Sequence, residues 1–368
     1  MTPPVITRRQ LNRALLARQL LLERSEMTTE EAIAHLVGLQ AQAPNPPYIG
    51  LWARLAGFDF DDLSALVRHH RVVRLALMRS TIHLVTAEDA VAIRGLLQPM
   101  LARAFHSSGF AKHVVGLDLA AVASAGCAAL EARPSTFSEL GAVLGQQWPD
   151  RDPAALAQVV RALVALVQVP PRGIWGESGA ARHAPLATWV PGDATGPLRA
   201  DDLVVRYLGA FGPAAVADFQ AWSGMTRTGE IFDDLRPRLT TFRDEAGVEL
   251  FDLPDAPRPH ADTPSPVRFI AEYDNILVSH ADRRRVISDD DRKRMASANG
   301  VVPGTVLVDG FVAGLWKVTG DRRQATLTVT TLRTLPKGHA GAVRDEGRRL
   351  LAVAAATAPS SQVVVDPG

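Results

Sequence analysis

Two glutamines, Gln40 and Gln42, stand two residues apart in the stretch GLQAQAPNPPYIGLWARL, from Gly38 to Leu55. A primary amide carries one acceptor oxygen and two N–H donors, and it is a poor proton acceptor. Such a pair suits holding a water or a phosphate and placing a negative dipole beside developing positive charge. It does not suit proton abstraction from an unactivated substrate. At the end of an apolar, helix-like run, the same residues would equally serve as caps for free helix carbonyls. Pro44, Pro46 and Pro47 follow and stiffen the turn.

The elements around this motif are legible from period and caps. Ile6 to Glu23 alternates apolar and polar residues at helical spacing, with Thr7 as its N-cap. Thr28 and Glu31 form a capping box that opens a second helix, predicted to run through Leu39 and to place the glutamines at its frayed end. Asn45-Pro46 starts a third helix and Asp61 to His69 a fourth. Arg71 to Val85, rich in β-branched residues, reads as two strands turning near Arg79-Ser80. Short helices followed by a hairpin are the layout of a winged helix.

That order recurs twice. Thr86 and Asp89 cap a long connecting helix. Helices then follow from Leu119, Thr136 and Asp152, and a hairpin carries Arg172 and Arg182 at a long basic tip. A third pass runs from Leu203 through three helices to a hairpin over LTTFRDEAGVELFDLP. After the Pro-rich linker DAPRPHADTPSP come a strand-like FIAEYDNILVSH, a charged helix over Asp289 to Ala298, antiparallel strands, and a closing helix from Val343 to Ala356. The predicted class is α+β, mainly α. Three tandem winged-helix units occupy 1–86, 119–192 and 193–256, with a connecting helix at 87–118 and an α+β module at 265–368.

Net charge is +1, so bulk charge points to no polyanion, but its distribution is uneven. Leu63 to Thr86 holds four arginines, three histidines and no carboxylate, and Lys317 to Leu350 sets eight Lys/Arg against three Asp/Glu. Such patches suit local phosphate contacts. No phosphate loop, GxGxxG, HExxH or GxSxG motif is present. No cofactor or metal is expected; the adjacent His69 and His70 diverge on a helix. The lone Cys127 reads as a small buried residue in an apolar helix. No apolar run reaches the ~18–20 residues of a membrane span. The chain reads as cytoplasmic and monomeric.

The segments LVGLQAQAP, LMRSTIHLVTAEDA, EYDNILVSHADRRRVI and VPGTVLVDGFVAGLWK together resemble the tandem winged-helix DNA glycosylases, the AlkZ-like family, on its azinomycin-resistance side. The likeness spans nearly the whole chain. It implies a C-shaped scaffold around a basic channel and a β-hairpin pressed against the minor groove. The implied activity is monofunctional excision of alkylated purines from double-stranded DNA, N7-linked interstrand crosslinks included. The Gln-x-Gln residues, here Gln40 and Gln42, would be catalytic; some relatives carry Asp at the second place.

Given that resemblance, Arg79 and His83 beside the first hairpin are expected to contact DNA. So are Arg172 and Arg182 on the second, Arg283, Arg284 and Arg285 after SHAD, and Lys317. His83 has a competing reading as a core histidine, and the three arginines as partners of Asp289 to Asp291. The groove hairpin is assigned to the second repeat, around Arg172. Asp274 is expected to pair with an arginine and fix the C-terminal module, and Trp175 and Trp316 to pack in cores. The alternative function is a non-catalytic winged-helix regulator or drug-binding protein.

Overall fold

The structure, a computed structural model, describes residues 3–190, 198–295, 300–321 and 323–367. The N-terminal run comprises α1 (Arg8–Arg18), α2 (Thr29–His35), β1 (Leu39–Gln40), α3 (Pro46–Arg54), α4 (Phe60–Arg68), β2 (Val72–Ala76) and β3 (Ile82–Thr86). Thr7 and Thr28 cap α1 and α2 through reciprocal capping boxes, and Pro46 occupies the first turn of α3. A long α5 (Ala87–His106) starts at Thr86, whose hydroxyl accepts from the Asp89 amide. Then come α6 (Leu119–Ala132), α7 (Phe137–Gln147), α8 (Pro153–Leu163), β4 (Leu166–Gln168), β5 (His183–Pro185) and a short α9 (Leu186–Trp189).

After the second gap lie α10 (Ala200–Phe211), α11 (Val216–Ser223), α12 (Gly229–Leu235) and the hairpin β6 (Thr240–Arg243)–β7 (Glu249–Asp252). The boundary expected between residues 192 and 193 lies outside the described residues. The last part holds β8 (Arg268–Ile270), α13 (Asp289–Met295), β9 (Gly304–Val308), β10 (Phe311–Gly320), β11 (Gln324–Thr331), α14 (His339–Ala354) and β12 (Ser360–Pro367). Residues 296–298 of the expected charged helix are also outside the described residues.

Three features depart from the sequence reading. The hairpins of the first two runs are not separate: β2 pairs antiparallel with β4, giving one sheet of order β1-β3-β2-β4-β5. The strand predicted over FIAEYDNILVSH stops at Ile270, because Tyr273 takes a left-handed φ of 58° and Asp274 caps a helical turn at Asn275–Leu277. The closing helix is followed by β12, which runs parallel to β11 and completes a second sheet, β12-β11-β10-β9-β8. Its Val363-Val364-Val365 core is a β-branched run that marks a strand.

A main core unites α2, α3, the first sheet, α5, α10, α11 and the C-terminal sheet, while α6, α7 and α8 enclose a smaller one. In the smaller core Gly126, not Cys127, faces inward: a Cβ there would lie 2.3 Å from Val160. Cys127 is half-buried beside Glu131. No helix among the described residues is long and apolar enough to cross a membrane.

Among the ion pairs that tie the C-terminal module to the first run, Arg54–Asp274 is buried on both sides. Both oxygens of Asp274 accept from Arg54 of α3, at 2.8 Å each, with both side chains 1% exposed. This bears out the arginine partner expected for Asp274. The neighbouring Asn275 donates to the Gly38 carbonyl at 2.8 Å. The EYDN stretch thus holds the chain on both sides of the glutamines.

Candidate active site

Helix α2 ends at His35, and Val37 (φ 53°) and Gly38 (φ 86°) reverse the chain into β1. Only glycine fits the second position, since a Cβ would sit 2.4 Å from Val85 Cγ1 and 2.9 Å from the Leu84 carbonyl. Gln40 therefore lies on a strand, not at the helix end expected from the sequence. It pairs with His83 of β3, and the Ala41 N–H donates to the Ile82 carbonyl at 2.7 Å. The strand ends at Gln40, and Gln42 lies two residues on, in the bend that leads to α3.

Both amides are anchored at one end of the β2–β3 hairpin, Gln40 to the short turn Met78–Thr81 and Gln42 to the first residue of β3. Arg79 Nη2 donates to Gln40 Oε1 at 2.7 Å. The Ile82 N–H donates to Gln42 Oε1, also at 2.7 Å. Only an oxygen can accept these bonds, so they fix which way each amide is turned. Each Oε1 keeps a second lone pair, and the two NH2 groups have no partner among the described residues. Gln40 is 8% exposed, whereas Gln42 is on the surface.

The turn is braced from three sides. Arg79 and Ser80 both take left-handed φ, 55° and 58°, a strain of about 1–3 kcal/mol per residue that persists only where the surroundings impose it. Arg161 of α8 donates to the Ser80 carbonyl at 2.8 Å. Arg79 Nη1 donates to the Trp222 carbonyl of α11 at 2.5 Å. Gly224, which ends α11, backs onto the Arg79 main chain so closely that a Cβ would lie 3.2 Å from its N and Cα. Behind the motif, Arg74 of β2 donates to the Ala41 carbonyl at 2.7 Å.

The corner is cationic. Burial, reinforced by Arg283, lowers Arg79 to a pKa of about 10, which leaves it charged at neutral pH. Burial first, then Arg172, holds Arg74 at about 10 as well. No carboxylate pairs with Arg79, Arg74 or Arg283 among the described residues. Arg74 was not singled out from the sequence. Its signal was an arginine inside the strand VVRLA, every residue of which is buried.

The other expected contacts divide by burial. His83 is fully buried, its Nδ1 bonded to the Thr81 carbonyl at 3.0 Å and its pKa pushed down to about 3 by burial and by Arg79. It is a neutral core histidine and offers DNA no surface. Arg285 is 5% exposed, donates to the Pro213 carbonyl at 2.7 Å and faces Asp218. It ties α11 to the C-terminal module and is no phosphate ligand.

Arg284 is exposed but paired with Asp282 at 2.7 Å, not with Asp289 to Asp291. Arg283 is half-buried beside Arg79. Arg182 forms a two-pronged pair with Glu139 of α7, both bonds 2.9 Å. Arg172 is half-buried and donates to the Gly179 carbonyl.

The loop bearing Arg172 is not a free tip. Tyr48 donates to its Gly173 carbonyl at 2.8 Å, and Trp175 packs edge-on against Phe60, with ring centroids 4.4 Å apart. Trp316 likewise packs, against Phe269 and Gly304, and donates to the Ile270 carbonyl. Lys317 stands next to it on β10, exposed and without an ion pair among the described residues. The strands β10 and β11 run on past it to an exposed end, with Val318 39% exposed.

Three buried histidines give the fold a pH dependence. Burial lowers His83 and His280 to about 3 and His183 to about 4. These folded values lie below the unfolded value near 6.5, so the unfolded chain binds more protons below it. Stability is complete above about 6.5 and falls as the pH drops toward the folded values. From pH 7 to 6 the expected loss is about 0.7 kcal/mol per histidine, about 2 kcal/mol together. Urea midpoints at the two pH values check this; a flat response excludes it, and His183→Gln removes one third of the slope.

A family model described as DNA glycosylase AlkZ-like matches residues 33–353. A curated relative, an "Interstrand DNA cross-link repair glycosylase" of Streptomyces sahachiroi, is 23% identical over 337 residues, covering 82% of this chain and 85% of its own. Among solved structures, Streptomyces sahachiroi DNA glycosylase AlkZ superposes with a TM-score of 0.80 at 20% identity, over 98% of this chain and all of that one.

Proposed function

Because the chain belongs to the AlkZ-like DNA glycosylase family, we propose that it hydrolyses the N-glycosidic bond of N7-alkylated purines in duplex DNA, interstrand crosslinks included, without lyase chemistry. The observation that carries this reading is the pair of glutamine amides held at one end of the β2–β3 hairpin, Gln40 by Arg79 of the braced turn and Gln42 by the Ile82 N–H, beside arginines that have no carboxylate partner among the described residues. Alkylation at N7 makes the base a cation. When the bond from the base nitrogen to C1′ breaks, its electron pair leaves with the base, which departs neutral and needs no acid. The sugar becomes oxocarbenium-like. A water adds to C1′ and releases its proton to solvent after the new C–O bond forms.

The chain's part is to place that water and to set dipoles toward C1′. Gln42, the exposed member, holds the water. Gln40, locked beneath it, donates its NH2 group toward the lesion strand. Neither amide is basic enough to drive removal of a neutral base, which restricts the enzyme to labile, cationic lesions.

We assign the phosphate contacts to Arg283 at the corner and to Lys317 on β10, with Arg172, Arg182 and Arg284 more peripheral; Arg79, expected from the sequence to contact DNA, instead commits its guanidinium to Gln40 and the Trp222 carbonyl. The hairpin β10–β11 takes the groove role first given to the Arg172 loop, since it is exposed along its outer half. Three winged-helix units around a basic channel, acting as a monomer in the cytoplasm, complete the proposal.

The test is incubation with duplex DNA containing N7-methylguanine, followed by alkaline cleavage at abasic sites. Strand breaks that need alkali are expected. Tight binding without breaks would favour a non-catalytic binder, and breaks without alkali would reveal a lyase.

A further inference from the structure

We propose that Arg79 is a positioning residue for Gln40: its guanidinium fixes the amide oxygen inward and turns the NH2 group toward the substrate. The inference rests on the glycosylase reading above and deepens it. Gln40 Oε1 receives Arg79 Nη2 at 2.7 Å. Rotating the amide by half a turn would set NH2 against the guanidinium, donor against donor. Loss of a hydrogen bond to a charged group then weights the two orientations by about 10- to 100-fold.

Arg79 itself has little freedom. Its backbone is left-handed at φ 55°, its Nη1 donates to the Trp222 carbonyl at 2.5 Å, and Gly224 closes the space behind it. Because no carboxylate pairs with it among the described residues, its second nitrogen is left for Gln40. The left-handed turn aims the guanidinium along β1, and α11 pins its far side. A surface arginine contacting phosphate would need neither device.

The consequence is a division of labour between two residues of the same type. Gln40, oriented by a cation, is a fixed donor. Gln42 Oε1 accepts from a neutral backbone N–H and the residue sits at the surface, so its amide is held by a weaker bond and presents its NH2 group and second lone pair to a bound water. The symmetry of the sequence about Ala41 is broken by Arg79.

A double-mutant cycle on single-turnover excision of N7-methylguanine tests this. Arg79→Met is expected to slow excision about 10- to 100-fold in the wild-type background, and less than about threefold in Gln40→Ala. Equal losses in both backgrounds, or no loss in either, would overturn the proposal, since an arginine serving only the fold or the phosphates acts independently of Gln40. Arg79→Lys, which keeps the charge, is run through the same cycle in case the methionine variant does not fold. The Gln40 side-chain NH2 resonances in 15N spectra give a readout without turnover. They are expected to shift and broaden in either Arg79 variant, and unchanged resonances refute the contact. If the wild-type protein excises nothing, the glycosylase reading fails instead, and the spectra still judge the Arg79 contact.

Discussion

Gln40→Ala and Gln42→Ala are each expected to slow excision by about 10²–10³-fold while leaving affinity for lesion-containing DNA essentially unchanged. Removing one preorganised polar group aimed at developing charge costs that much in other enzymes. The affinity should persist because phosphate contacts, which dominate binding to DNA, lie on arginines and lysine and not on the amides. The fold should persist too. Gln42 is exposed and its carbonyl serves a single N–H, that of Ile82 at the start of β3, and Gln40 lies on an edge strand of two residues. Single-turnover kinetics with defined N7-methylguanine duplexes, together with binding at matched salt, separate the two effects. If both variants excise at the wild-type rate, the glutamines are structural and the chemistry lies elsewhere. A variant with Glu at 42 is informative beside them, because a carboxylate would attract the oxocarbenium more strongly but lose the NH2 donor.

Asp274→Ala should be strongly destabilising although it lies outside the site. It would strand Arg54, 1% exposed, as a buried cation with only the Gly50 carbonyl and Gln19 left as partners. Breaking such a pair costs about 3–5 kcal/mol. Denaturant midpoints are the measurement. The double replacement Arg54→Met/Asp274→Leu should recover most of the loss, because it removes the uncompensated charge and not merely the pair. Failure of the double variant to recover would mean that the pair acts by orienting the EYDN turn. Excision should fall further than stability alone explains, since Asn275 on the same turn holds Gly38 ahead of the glutamines.

Local chemistry was readable where it is local. The N-cap at Thr7, the capping box at Thr28, the cap at Thr86, the β2–β3 hairpin and an arginine partner for Asp274 all follow from spacing and residue type. What escaped was set by contacts far apart in the chain. Gly38 looked like the tail of a helix because Leu36 and Leu39 keep the helical period. Its left-handed φ and its contact with Val85 are invisible without β3.

Arg172 and Arg182 looked like a free basic tip because nothing local shows that Tyr48, 125 residues away, receives the loop. Arg79, His83 and Arg285 carry the same kind of label in sequence. Only packing separates an oriented guanidinium, a neutral core imidazole and a structural tie.

The joined sheet has a consequence for how the protein is made. During synthesis β2 and β3 leave the ribosome long before β4, and Arg74 finds its partner only once Gln168 has emerged. Until then one flank of the hairpin is an open edge able to pair with another nascent chain. The buried Arg74, a charge pointing into an otherwise apolar strand, is the kind of residue that discourages such pairing. The cation that later steadies Ala41 between the glutamines thus also guards the unfinished chain.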